Sequence, residues 1–191
     1  MASTQTKERI LDTSLAMFNA QGEPNVTTNH IADELGISPG NLYYHFKNKD
    51  DIVAQLFAMY ESRMDEVLAR RKRSITLDDV RLQLQCVFEC MWTYRFLYRD
   101  LVDILSRNRK LKQRFARLLN RAEDSVVVTI RGLTDAKIVS ATKEEMQAIA
   151  ENVVLATTFW LNYHAVRNKS EPTQADLAKG MQQVMRLIAP N

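Results

Sequence analysis

The chain has 191 residues, of which 46% are hydrophobic, with only 5 glycines, 4 prolines and 2 cysteines. This composition supplies a packed core but too few turn residues for a strand-rich fold, and too few cysteines for a disulfide framework. No apolar run is long enough to cross a bilayer, and the N-terminus lacks the apolar centre of a signal peptide. We therefore expect an all-helical protein of the cytoplasm.

The net charge of +3 is unevenly distributed along the chain. Residues 1–50 carry four lysines and arginines against six acidic residues, a net of −2, whereas residues 95–121 carry nine against two, a net of +7. The first segment therefore lacks the basic character that is usual in a nucleic-acid-binding domain. We interpret the basic stretch as a solvated helical face; the alternative is a surface that attracts an acidic ligand or DNA.

Helix signals begin at the N-terminus. Apolar side chains at helical spacing predict a first helix over residues 6–21, which Gly22 ends, and residues 23–25 follow as a turn. Thr27 is a suitable N-cap for a second helix of about two turns, and Gly36 ends that helix. These signals predict two helices joined by a short turn.

A very short third helix follows. Ser38 is a suitable N-cap and Pro39 occupies the first helical position, where its missing N–H has no cost. The helix is predicted to end near Lys47. Asn48 then caps a fourth helix, which is predicted to run to the basic cluster at residues 70–73.

The helices lengthen beyond residue 74. Further helices are predicted over about 76–98, 101–105, 110–131 with a stop at Gly132, 142–168, and from Pro172 onwards. About nine helices result, in two unequal domains. We expect a helical domain over residues 1–50 and a larger one over residues 51–191, connected by the helix from about 49 to 73.

The stretch from Thr27 to Phe46 has the most specific pattern in the chain. Two short helices separated by residues 36–38 indicate a helix-turn-helix. The first turn of the second helix is small and polar, so it can approach base edges, while Tyr43, Tyr44 and Lys49 can donate to phosphates. The helix-turn-helix pattern alone, without these tyrosines and the lysine, also matches many unrelated helical hairpins.

A resemblance to the TetR (tetracycline repressor) family of bacterial transcription regulators is carried by TTNHIADELGISPGNLYYHFKNKDDIVAQLF, and above all by LYxHFxxK. The resemblance implies a homodimer that places two recognition helices in successive major grooves of a roughly palindromic operator. It also implies that Leu42 and Phe46 belong to the domain core. The implied DNA contacts are Thr28 and Asn29 to backbone or base edge, Gly40, Asn41 and His45 to bases, and Tyr43, Tyr44 and Lys49 to phosphates.

Two segments of the larger domain indicate a partner surface. Residues 153–161 (VVLATTFWL) are apolar on nearly all sides, which requires burial on all sides, and the last helix has one apolar stripe. Together they resemble the four-helix dimer interface of the family; the alternative is a core within one chain. The predicted interface residues are Val153, Phe159, Tyr163, Leu177, Met181, Val184, Met185 and Ile188.

An apolar pocket for an unknown small-molecule effector is also predicted in the larger domain. Aromatic and methionine side chains suit an adaptable pocket, although core packing explains them equally well. The predicted lining residues are Phe88, Met91, Trp92, Phe96, Phe115 and Trp160. Cys86 and Cys90 are interpreted as small buried hydrophobic residues, rather than a thiol sensor or half of a metal site. The three histidines lack ligand spacing, so neither a metal nor a cofactor is predicted.

The sequence therefore predicts a DNA-binding transcription regulator, most specifically a dimeric repressor released from a palindromic operator by a small, largely apolar ligand. A transcriptional activator or a ligand-independent regulator is the alternative. A helical enzyme or carrier is a remote one, because the sequence contains no G-x-S-x-G, Gly-rich phosphate loop or H-E-x-x-H. The expected partners are operator DNA, a second copy of the chain and the effector, with no membrane.

Overall fold

The computed structural model describes residues 2–69, 75–168 and 172–189, and every regular element in these ranges is helical. Two compact units result: Met1–Ser62 with Tyr94–Leu111, and Arg63–Thr93 with Lys112–Asn191. The first unit thus holds more than the expected domain of residues 1–50. None of the described helices is both long enough and apolar enough to span a membrane.

Ten α-helices and one 3-10 helix lie in the described ranges. The α-helices are α1 (Ala2–Gln21), α2 (Thr28–Leu35), α3 (Pro39–His45), α4 (Lys49–Leu68), α5 (Leu77–Thr93), α6 (Arg95–Arg99), α7 (Leu101–Arg107), α8 (Arg109–Asp135), α9 (Lys143–Asn168) and α10 (Gln174–Ile188). The 3-10 helix, η1, spans Glu23–Asn25, where a turn was predicted. The all-helical prediction is confirmed, whereas the basic cluster predicted to end α4 lies outside the described residues.

The end of α1 follows the sequence prediction. Gly22 has φ 88°, a left-handed conformation that glycine adopts without steric cost. Its N–H donates to the Phe18 carbonyl at 3.0 Å, and Arg99 Nη2 donates to the same carbonyl at 2.6 Å. The Phe18 carbonyl in the last turn of α1 is thus satisfied, and the helix ends at Gln21.

Two predicted boundaries are wrong. The helix predicted over residues 76–98 is broken, because the Phe96 N–H donates to the Asn19 side chain at 3.1 Å instead of continuing the helical ladder of α5. Gly132 does not end α8, which continues to Asp135. A Cβ at Gly132 would lie 2.8 Å from Ile75 Cγ2, so glycine here serves close packing rather than helix termination.

Each unit has its own core. In the first, Phe18 and Phe96 lie with ring centroids 5.3 Å apart, and Tyr60 packs on Tyr98, to whose hydroxyl its own is hydrogen-bonded. In the second, α10 approaches its neighbours closely at Gly180. A Cβ at this position would lie 2.6 Å from Trp160 Nε1, which instead donates to the Asp176 carbonyl at 2.8 Å.

Candidate nucleic-acid interface

The helix-turn-helix begins with a reciprocal cap. The Thr27 hydroxyl accepts from the His30 N–H at 3.2 Å, and His30 Nδ1 accepts from the Thr27 N–H at 3.4 Å. This satisfies donors that the first turn of α2 would leave free. The predicted N-cap of α2 is confirmed.

The turn between α2 and α3 consists of the three predicted residues, 36–38. Gly36 has φ 65°, and the Ile37 N–H donates to the Ala32 carbonyl at 3.0 Å, so the chain reverses within one residue of α2. The Ser38 hydroxyl then accepts from the Asn41 N–H at 3.2 Å and caps α3. Hence the short recognition-type helix starts where the sequence predicts.

Buried apolar side chains hold α3 in place. Leu42 is 0% exposed and Phe46 is 4% exposed. Ile31 and Ala32 of α2 are also buried, at 0% exposed. Lys7 Nζ lies over the Phe46 ring, 5.6 Å from its centre. The predicted core role of Leu42 and Phe46 is therefore confirmed, and the opposite face of α3 is left to solvent.

That opposite face carries the predicted base-contact residues. Gly40 and Asn41 are exposed, and His45 is half-buried, with its ring edge-to-face against Tyr44 at 5.1 Å. A Cβ at Gly40 would meet only Ser38 Oγ, at 4.0 Å, so packing within the chain does not require glycine there. An open backbone in the first turn leaves room for a partner to approach closely.

Two exposed tyrosines lie on the same short helix. Tyr43 is 48% exposed and Tyr44 is 79% exposed. The Tyr43 hydroxyl lies 3.1 Å from Thr28 Oγ1 at the start of α2, where Asn29 is also exposed. The structure thus brings the predicted phosphate donor Tyr43 next to the predicted contacts at the start of α2.

Lys49 has a different environment from the other predicted DNA contacts. Its Nζ lies 2.9 Å from Glu23 Oε1 and donates to the Glu23 carbonyl at 2.8 Å. The Glu23 side chain is 0% exposed, and that of Lys49 is 23% exposed. The ammonium expected to face phosphate is therefore occupied by an acidic partner within the chain.

A second cation reaches the same carboxylate. Arg107, the last residue of α7, donates to Glu23 Oε2 at 2.6 Å, to Asp103 at 3.0 Å and to Asp50 at 3.2 Å. Burial alone would lower the pKa of Arg107, but Glu23, Asp103 and Asp50 together raise it. We call Glu23, Lys49 and Arg107 the Glu23 cluster. Sequence reasoning missed it, because no local pattern connects residues that lie 26 and 84 positions apart.

The backbone of Glu23 is fixed as well. Its N–H donates to Asp100 Oδ2 at 3.1 Å. Burial raises the pKa of Asp100, and this hydrogen bond together with Arg99 opposes the rise. Arg107 of α7 therefore holds the Glu23 carboxylate, and Asp100, between α6 and α7, holds the Glu23 N–H.

In the second unit, the predicted interface residues fall into three sets by burial. Val153, Leu177, Val184 and Ile188 are buried within the chain, Met181 and Met185 are half-buried, and Phe159 and Tyr163 are exposed by 43% and 50%. The exposed pair belongs to an apolar stripe on α9 that also contains Leu155 and Val166. We call these four residues the α9 stripe; its helical spacing is visible in the sequence, but Leu155 and Val166 were not singled out.

The predicted pocket residues differ in burial and in the unit to which they belong. Phe88, Met91 and Phe115 are buried, Trp92 is half-buried, and Phe96 lies in the first unit against Phe18. Trp160 lines an open cleft of about 830 Å³, together with residues of the α9 stripe and of α10.

The two cysteines differ in burial. Cys90 is buried and Cys86 is half-buried, and neither is in a disulfide. Burial raises the pKa of the Cys90 thiol to about 11. Within the described residues, no group of three or more His, Cys, Asp or Glu side chains could hold a metal ion.

The capped helices, the three-residue turn and the exposed polar face of α3 define a helix-turn-helix protein. Two family descriptions match the chain: "Bacterial regulatory proteins, tetR family" over residues 10–56, and "Bacterial transcriptional repressor" over residues 59–191. The chain belongs to the TetR family of bacterial transcription regulators. The predicted family is therefore confirmed.

Individual relatives agree with this assignment. A TetR-family regulator of known structure from Marinobacter aquaeolei VT8 is 38% identical, with a TM-score of 0.90 over 97% of this chain and 90% of that one. AcrR of Shigella flexneri is 33% identical over 63 residues, 33% of this chain and 29% of AcrR. The chain spans between 26% and 47% of the first curated relatives it matches.

A more distant structure shows the same fold. It is a regulator from Saccharomonospora viridis in complex with choline, 17% identical, with a TM-score of 0.76 over 97% of this chain and 96% of that one.

Proposed function

We propose that this chain is a dimeric transcriptional repressor that leaves a palindromic operator when a small, largely apolar molecule binds its second unit. The observation that carries the DNA-binding part is the two-sided character of α3. Leu42 and Phe46 fix the helix from inside, while Gly40, Asn41 and Tyr44 face solvent. A helix anchored on one face and polar on the other can enter a major groove without deforming.

The contacts to DNA divide by chemistry. Asn41 and His45, beside the open backbone of Gly40, are proposed to face base edges and so to set the operator sequence. Tyr43 and Tyr44 are proposed to donate to phosphates, as is Lys49 once it is released from Glu23. Thr28 and Asn29 are proposed to meet the backbone or a base edge from α2.

The α9 stripe supports the proposed homodimer. Leu155, Phe159, Tyr163 and Val166 are 43–84% exposed on one helix, and Leu187 of α10 adds an apolar side chain that is 38% exposed. Exposed apolar stripes of this kind are common at interfaces between subunits. Two copies of α9 and α10 would bury the stripe, so the buried residues Val153 and Leu177 would support the interface from within the chain.

A distant relative supports the proposed effector. The Saccharomonospora viridis regulator binds choline, a small organic molecule, within the same fold. In this chain Trp92 and Trp160 are the half-buried members of the predicted pocket. A ligand that favours one conformation would shift the dimer away from the operator only if it binds that conformation more tightly.

The test is binding to DNA from the region upstream of the chain's own gene. Footprinting should show two protected half-sites about one helical turn apart or more. Fluorescence anisotropy should show an affinity that depends on sequence and falls as salt rises. If binding is independent of sequence, or does not respond to salt, the proposed function is wrong. A thermal-shift screen of metabolites then identifies effectors by their stabilisation of the native state.

A further inference from the structure

Glu23 is a buried carboxylate with two cationic partners from elsewhere in the first unit. The Glu23 side chain is 0% exposed. Its partners are Lys49, the first residue of α4, and Arg107, the last residue of α7. A buried charge without a partner is strongly unfavourable, so Glu23 requires at least one of the two cations at all times.

The two cations are held differently. Arg107 donates to Glu23 Oε2 at 2.6 Å and is fixed further by Asp103 and Asp50. Lys49 donates to the Glu23 carbonyl at 2.8 Å and forms an ion pair with Glu23 Oε1 at 2.9 Å, so both of its acceptors belong to one residue. Lys49 is thus the cation with fewer attachments.

Lys49 follows the recognition-type helix by four positions and is the lysine proposed to hold a phosphate. An ammonium group is a compact donor that can bind either a carboxylate or a phosphate. We infer that Glu23 and a DNA phosphate compete for Lys49, and that Arg107 decides the outcome by neutralising Glu23. This inference rests on the proposed DNA-binding function.

The competition has two states. With Arg107 on Glu23, the carboxylate keeps one cation when Lys49 turns to the phosphate, and the phosphate contact forms. Without Arg107, release of Lys49 would leave Glu23 buried and unpaired, so Lys49 stays on Glu23 and the phosphate contact is lost. Arg107 is therefore a positioning residue, by which α7 controls a DNA contact made from α4.

The test uses the full chain and its operator, with affinity measured by fluorescence anisotropy over a range of salt concentrations. Arg107→Gln should lower the affinity at low salt at least about fivefold. It should also reduce the slope of log affinity against log salt by about 0.9 for each lost phosphate contact, hence by about two units for a dimer. Arg107→Gln combined with Glu23→Gln should restore both values, because the neutral amide no longer holds Lys49.

Lys49 supplies the second arm of the test. Lys49→Gln should reproduce the effect of Arg107→Gln in the wild-type background and add nothing in the Arg107→Gln background. Arg81→Gln removes an arginine that is exposed on α5 and paired with Asp78, so it serves as the matched control and should change neither value. Thermal unfolding of every variant verifies that the chain is folded.

The outcomes separate the inference from the function on which it rests. If the wild-type chain shows no sequence-specific, salt-sensitive binding, the proposed function fails. If it binds but Lys49→Gln keeps the wild-type slope, or the Glu23→Gln change does not rescue Arg107→Gln, the competition does not exist. If Arg107→Gln does not fold, Glu23→Gln alone decides: a slope at or above wild type supports the inference, and a lower slope overturns it.

Discussion

The exposed face of α3 and the α9 stripe are both rich in aromatic residues, but they have different surroundings. On α3 the exposed rings of Tyr43 and Tyr44 end in hydroxyls and lie beside Asn41 and Gly40. On α9 the exposed side chains are almost entirely apolar, from Leu155 to Val166. The first surface suits phosphates and base edges, whereas the second suits another apolar surface. Exposure alone would not distinguish them; the chemistry of the neighbours does.

Two negative charges introduced into the α9 stripe should produce the largest loss of operator affinity among the substitutions predicted here. The double change Phe159→Asp and Tyr163→Asp places carboxylates where a second apolar helix would pack, so we expect a monomer in sedimentation equilibrium. Operator affinity should fall by roughly 10²–10⁴, because two linked half-site contacts are no longer made by one particle.

The matched control for this prediction is Leu82→Asp. Leu82 is 60% exposed on α5 and lies outside the stripe. It should leave the oligomeric state and the operator affinity unchanged. A double variant that sediments as the wild type does would show that the α9 stripe is not the dimer surface.

Gly180→Ala tests how α9 is held within the chain. The added methyl group would lie 2.6 Å from Trp160 Nε1 and 2.8 Å from Phe88 Cε1. We expect a loss of about 1–3 kcal/mol in the free energy of unfolding, measured by chemical denaturation, because overpacking forces neighbours apart. Unchanged stability would mean that the packing between α9 and α10 accommodates the added methyl group.

The two surfaces also differ in how far the sequence predicts them. Ser38, Gly36 and Leu42 fix where α3 begins and which face is buried, so its exposed residues follow from spacing. On α9 the apolar residues continue around the helix, and only packing selects the exposed side. Val153 and Phe159 were therefore predicted together, although one is 3% exposed and the other 43%.

Contacts between distant parts of the chain were not predictable at all. The Glu23 cluster joins residues from η1, α4 and α7, three segments that are far apart in the sequence. The break between α5 and α6 depends on Asn19, 77 residues before Phe96. Caps and turns depend on a few neighbouring residues, so they can be predicted from the sequence. The partners of buried charges depend on the tertiary fold.

Asn41→Ala should change sequence preference on the α3 surface without changing stability, because the side chain is exposed. An amide that contacts a base edge contributes about 1–3 kcal/mol of discrimination at that base pair. We expect competition assays with operators altered one base pair at a time to show a relaxed preference at one position in each half-site. Equal weakening on all operators would assign Asn41 to the DNA backbone instead.

Tyr43→Phe should have a smaller and less selective effect. The change removes the hydroxyl that lies 3.1 Å from Thr28 Oγ1 and is proposed to donate to phosphate. We expect the binding free energy for all DNA sequences to become less favourable by about 0.5–1.5 kcal/mol in each half-site, the net contribution of one hydrogen bond, and hence by about twice that for the dimer. Anisotropy with operator and with unrelated DNA measures both losses; a loss confined to the operator would contradict a phosphate role.

Gly40→Ala should change the free energy of unfolding by less than Gly180→Ala does, and with the opposite sign. A methyl group at Gly40 meets only Ser38 Oγ, at 4.0 Å, and restricts the unfolded chain. The free energy of unfolding should therefore rise by about 0.4–1 kcal/mol. Operator affinity should nevertheless fall, because the methyl group would occupy the space through which bases approach α3. A variant that is stabilised and binds DNA as well as the wild type would show that no base comes close to Gly40, and the recognition surface would then have to be centred on Tyr44 and His45.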